Sequence, residues 1–103
     1  MNTRNKMYTS NSKVRKWLLE NNYKYIYLYP HLRFMKDYNF EKKGFDGHCW
    51  KEGERFITFF QVKSNEKPSK QTLMDYKEIE MKYFCKCLWF TVVDRKGVEV
   101  YGL

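Results

Sequence analysis

The sequence predicts an α/β domain in which a central mixed β-sheet is flanked by helices, with elements in the order α-β-β-β-α-β-β. Three features carry this prediction. Residues 55–63 (RFITFFQVK) and 86–93 (KCLWFTVV) are near-continuous apolar runs rich in β-branched and aromatic residues, the pattern of strands covered on both faces. Between them, Pro68-Ser69 opens a segment with Leu73, Tyr76, Ile79 and Tyr83 at helical spacing, and Pro suits a first helical turn. A strand, helix, strand succession of this kind implies a parallel pair joined by a crossover. Polar turns containing Gly at 51–54 and 94–97 add hairpin neighbours to it.

Taken in order, residues 1–11 are polar and aperiodic, and they are expected as a flexible basic N-terminal arm ahead of one domain over 12–103. Ser12 is expected to cap a first helix over 12–21, with Val14, Trp17 and Leu18 as its apolar stripe and Asn21-Asn22 as its stop. Residues 23–29 (YKYIYLY) are rich in β-formers and end at Pro30. Over 30–43 charges interrupt Leu32, Phe34 and Met35, so a loop or short extended segment is expected. Residues 45–50, after Gly44, form a short strand that pairs with 55–63 through the turn at 51–54. After the loop at 64–67 come the second helix, the strand 86–93 and a final strand over 98–101.

Length and composition bound the function. The chain has 103 residues, enough for one modest core. Aromatic residues make up 19%, so large rings supply much of the buried area. Most are expected in packing, and any left exposed can stack on bases. Twenty Lys and Arg against twelve Asp and Glu give a net charge of +8, a field that attracts polyanions, nucleic acid foremost. Residues 1–24 concentrate the excess: Arg4, Lys6, Lys13, Arg15, Lys16 and Lys24 face Glu20 alone. No apolar run reaches membrane-span length, and no basic amphipathic helix has a continuous apolar face, so no membrane partner is expected. An odd count of three cysteines and a start without an apolar signal region predict a reducing, cytoplasmic setting with free thiols.

The candidate chemistry lies in two adjoining segments. Gln61 and Lys63 alternate onto one strand face. If the hairpin pairs as expected, Asp46 joins them at the strand ends. A carboxylate, an amide oxygen and an ammonium then share one place. Asp46, the Gln61 side-chain oxygen and the Val62 carbonyl are hard donors of the kind a Mg²⁺ ion takes. Lys63 can orient a water or stabilise phosphoryl charge.

The segment Gly44-Phe45-Asp46, followed by Phe59-Phe60-Gln61-Val62-Lys63-Ser64, resembles the PD-(D/E)XK nuclease motif in the variant that closes its second strand with (E/Q)-x-K-S. Restriction endonucleases and Holliday-junction resolvases share that core. The resemblance implies a restriction-endonuclease-like fold and a Mg²⁺-dependent endonuclease, with Mn²⁺ able to substitute, acting on DNA rather than RNA. A domain this small covers little duplex by itself, so a homodimer is expected if both strands are cut. In resolvase-like members a glutamate of the first helix joins the site. Glu20 is the one acid at 12–21, and its alternative role is an i−4 contact with Lys16. Lys70 and Gln71, opening the second helix, and Arg15 and Lys16 on the first are the expected nucleic-acid contacts. Two positions depart from the motif. Phe45 replaces a Pro that has no chemical role, and Gln61 replaces the commoner Glu and removes a negative charge that a hard cation favours. The alternative is therefore a catalytically weak or inactive nucleic-acid-binding module of the same fold. His48, Cys49, Cys85 and Cys87 lack zinc-knuckle spacing, with His48 and Cys49 on opposite strand faces. The cysteines are expected as buried free thiols.

Overall fold

A computed structural model describes residues 3–29 and 44–103, with side chains of the first segment described from Ser10 onward. The expected loop over 30–43 lies outside the described residues. Within them the elements are helix α1 (Thr3–Glu20), strands β1 (Tyr23–Leu28), β2 (Gly47–Lys51) and β3 (Ile57–Ser64), helix α2 (Lys70–Lys82), and strands β4 (Cys85–Val93) and β5 (Gly97–Tyr101). The order is the expected one. Among the described residues the strands form one five-stranded mixed sheet in the order β1-β2-β3-β4-β5. The central pair β3–β4 is parallel and the other three pairs are antiparallel.

The two apolar runs are strands covered on both faces. In β4, Leu88, Phe90 and Val92 join Val14 and Leu18 of α1 in one core cluster. The alternate residues Cys87 and Trp89 join Tyr76 and Ile79 of α2 in a second. Neighbouring β3 divides in the same way, with Phe60 on the α1 side and Phe59 on the α2 side. A period of two between two helical layers accounts for runs that look uniformly apolar in sequence. Phe60 and Phe90 are fully buried, each worth about 2–3 kcal/mol by area removed from water.

Helix α1 begins at Thr3, not at Ser12. No Pro or Gly interrupts residues 3–11, and Ser10 lies on the same side as Val14. It is buried there, with its hydroxyl 3.0 Å from that of Ser64 at the end of β3. A tertiary contact thus anchors a turn whose sequence lacks apolar periodicity, and Ser12 is an exposed mid-helix residue. The stop falls as expected. Asn22 adopts φ 69°, and the Asn21 side chain donates to the Trp17 carbonyl at 2.8 Å, an Asn-based C-terminal cap. Helix α2 starts behind Ser69, whose hydroxyl accepts from the Thr72 amide at 3.1 Å. Tyr83, expected within that helix, is its exposed C-terminal cap.

Strand β1 carries an irregularity that strict alternation does not predict. Its register with β2 shifts between Lys24 and Tyr27, so the phase of alternation changes partway. Tyr23 packs on the α1 side, and so do Ile26 and Leu28 beyond the bulge. Tyr25, at φ 54°, lies edge-on to Trp50, and Tyr27 lies beside His48. The bulge keeps the aliphatic residues inside while turning the later tyrosines to the opposite face.

Candidate active site at the end of the central parallel strand

Asp46 stands one residue before β2 rather than within it. Its amide donates to the Phe60 carbonyl at 2.8 Å and its carbonyl accepts from the Tyr29 amide at 2.8 Å, which fixes its backbone between β1 and β3. The side chain then continues the ladder where backbone pairing ends. Asp46 Oδ2 accepts from the Val62 amide at 2.7 Å. In a strand the N–H and C=O of one residue point to the same neighbour, so the Val62 carbonyl also faces the Asp46 side.

Gln61 and Lys63 emerge on the α2 face. Gln61 Oε1 accepts from the Tyr76 hydroxyl at 2.8 Å. Burial, with smaller contributions from Cys87 and the Asp46 carboxylate, pushes the Tyr76 phenol far above its ordinary value, so it stays a hydroxyl donor. Phe45, the neighbour of Asp46, lies against the Tyr76 ring at 5.4 Å between centroids. Gly44 stands against Gln61. Its φ is 82°, and a Cβ there would come within 3.0 Å of Gln61 Nε2, so both backbone conformation and space call for glycine. Lys63 is exposed and lines, with Gln61, Glu66, Thr72, Asp75 and Tyr76, a cleft of about 510 Å³ under the first turns of α2.

No known protein-family model matches the chain, and none of the curated proteins matches it.

Of the residues expected from sequence, Asp46 meets the Val62 amide, and Gln61 and Lys63 stand on one strand face and line the cleft. Lys70 and Gln71 lie at the exposed start of α2 beside the cleft, where Gln71 donates to Asp75 Oδ1 at 2.9 Å. Glu20 is not brought to this cluster. Ser10 touches Ser64 at the Lys63 end of β3, and Glu20 lies about 15 Å further along the helix at 1.5 Å per residue. It is exposed and 4.0 Å from Lys16, and it borders a separate surface groove with Arg15 and Leu19. Arg15 and Lys16 are thus on the outer side of α1, away from the cleft.

Sequence reading missed Tyr76 as a site residue, because its spacing with Leu73 and Ile79 marks only a buried stripe. It also missed Glu66 and Asp75, the two cleft carboxylates. Cys49 and Cys87 are buried in different core clusters and all three cysteines are free, as expected of structural thiols. Burial pushes the Cys49 thiol up to about 12. His48 Nδ1 is 2.7 Å from the Tyr29 hydroxyl, and burial lowers its pKa.

Proposed function

We propose that this protein is a metal-dependent nuclease of PD-(D/E)XK type that hydrolyses phosphodiester bonds in DNA. The observation that carries the reading is the hydrogen bond from the Val62 amide to Asp46 Oδ2. It ties the aspartate of the motif to the middle of its Gln61-Val62-Lys63 element, although the two are separated in sequence. The element order and the mixed sheet with helices on both faces fit a restriction-endonuclease-like core, and the net charge of +8 fits a polyanionic substrate.

The donor set suits a hard divalent cation, Mg²⁺ or Mn²⁺. The second Asp46 oxygen, the Gln61 amide oxygen and the Val62 carbonyl are all oxygen ligands. When bound, such an ion supplies Lewis acidity to a phosphoryl oxygen and lowers the pKa of a coordinated water. Lys63, on the same strand face as Gln61, orients the attacking water and offsets charge developing on the phosphate. Tyr76 positions Gln61. Lys70 and Gln71 meet the phosphate backbone at the cleft mouth. Cutting both strands of a duplex calls for two copies of so small a domain.

A second reading, a binding module without turnover, draws on Gln61 itself. Its oxygen is engaged by Tyr76, and it brings no charge to a metal. One experiment separates the two. Plasmid, single-stranded and four-way-junction DNA are incubated with the protein at low salt in Mg²⁺, Mn²⁺ or EDTA. Asp46→Asn, which keeps an acceptor for the Val62 amide, and Lys63→Ala are run beside it. Metal-dependent cleavage that drops by about 100-fold or more in both variants is expected. Folded protein that binds DNA in EDTA and cleaves nothing in any metal would make it a binding module.

A further inference from the structure

The α2 face of strands β1 and β2 carries a continuous row of rings. Tyr25 packs edge-on against Trp50 at 6.2 Å between centroids, Trp50 meets His48 at 5.5 Å, and His48 meets Tyr27 at 5.6 Å and Tyr29 at 5.4 Å. Neither described helix packs on this part of the sheet from that side. Helix α2 packs against β4, while α1 lies on the opposite face. Tyr25 is 78% and Tyr27 52% exposed, so the row is open along β1, while His48 and Trp50 are half-buried and Tyr29, also half-buried, packs on the α2-side core. The row is also held at a cost. Tyr25 sits at φ 54°, a left-handed conformation that a bulky side chain rarely adopts.

The row has a direction. It runs down the β1–β2 pair from Trp50 to Tyr29, whose amide is bonded to the Asp46 carbonyl. Beyond Asp46 lie Gln61 and Lys63. At the far end Lys24 pairs across the strands with Trp50, and its ammonium is 3.1 Å from Glu52. A row of rings on a protein of net charge +8, leading to a cleft where Lys63 stands with Glu66 and Asp75, matches one chemistry: π faces for bases, with the positive charge of the whole chain for the phosphates between them.

We propose that Tyr25, Tyr27, Tyr29, His48 and Trp50 form a stacking platform for unpaired nucleotides of a single DNA strand. The platform leads the strand's backbone toward Asp46 and Lys63. The inference deepens the nuclease reading by naming its substrate as single-stranded or frayed DNA, but stacking itself requires no turnover.

The test is binding in EDTA, read by fluorescence anisotropy of a labelled oligothymidylate and of an abasic strand of equal length. The wild type is expected to prefer the strand with bases. Tyr25→Gly and Tyr27→Ala should each weaken oligothymidylate binding about 5- to 100-fold and leave abasic binding unchanged. Tyr27→Phe, which keeps the ring, should bind as the wild type does. Tyr25→Gly relieves the left-handed backbone, so its melting temperature should not fall. A loss of binding there reports the ring and not the fold. Equal binding of both strands by the wild type, or equal weakening of both in the variants, would overturn the platform in favour of charge alone. So would a dimer, seen by light scattering, that the variants split into monomers while oligothymidylate binding stays constant, because a second copy would then cover the rings. The same preparations with Mg²⁺ keep the two readings apart. A base preference without cleavage leaves the platform standing and ends the nuclease reading, whereas cleavage without a base preference does the reverse.

Discussion

At the scale of single residues, the proposed metal site turns on Gln61. Asp46 contributes one negative charge, and the amide of Gln61 contributes an oxygen without charge. Hard cations bind more tightly as carboxylates replace neutral donors. Gln61→Glu is therefore expected to tighten Mg²⁺ or Mn²⁺ binding by about tenfold, measured by titration calorimetry. Tyr76 can donate to a carboxylate oxygen as it does to the amide, so the side chain stays positioned. Unchanged affinity would mean that position 61 does not touch the metal. The strand part of this site was legible because alternation along 61–63 places two side chains on one face whatever the tertiary structure. Tyr76, Glu66 and Asp75 were not, since the helix-to-strand packing that brings them to Gln61 has no local signature. Glu20 was misassigned for a related reason. Helix periodicity gives a face but not which end of the helix meets the Lys63 end of β3, and the Ser10–Ser64 contact sets that end.

At the scale of elements, the β1–β2–β3 edge depends on close approach at Gly47. A Cβ there would lie 2.3 Å from the Tyr27 carbonyl oxygen and 2.7 Å from Phe60 Cζ. The first contact is with backbone and cannot yield by a rotamer change. Gly47→Ala is expected to destabilise the fold by about 1–3 kcal/mol through overpacking, read as a lower denaturant midpoint. Because Gly47 adjoins Asp46, the proposed DNA cleavage should fall as well. A midpoint equal to wild type would show that β1 can move away freely. Elements whose burial pattern repeats along the chain were readable, including the two-sided strands, the Ser69-capped helix and the β3–β4 crossover. The bulge in β1 was not. In YKYIYLY both residue sets are β-formers, so the sequence allows either phase, and packing of Ile26 and Leu28 against the α1 core selects the change of phase. The early start of α1 was hidden because its anchor is a serine and not an apolar residue.

At the scale of the whole molecule, size and charge bound how the proposed nucleic-acid substrate could be met. The radius of gyration is 13.4 Å, about that expected for a compact chain of this length, so the footprint on a strand is short. No helix among the described residues is long and apolar enough to cross a membrane. If the stacking row and the cleft engage one strand together, about three to five phosphates meet Lys side chains. The logarithm of the binding constant should then fall against the logarithm of salt concentration with a slope of roughly −2 to −3.5 for a single strand. Removing Lys63 or Lys70 should make the slope shallower by about 0.7 each, while Tyr27→Ala should lower affinity at every salt concentration without altering the slope. Fluorescence titrations across a salt series measure both quantities. Parallel lines for the lysine variants would place the phosphates elsewhere on the basic surface, for example along Arg15 and Lys16 of α1. A slope that changes with Tyr27 would mean that the ring orders the phosphates as well as the bases, coupling the two parts of the surface into a single binding site.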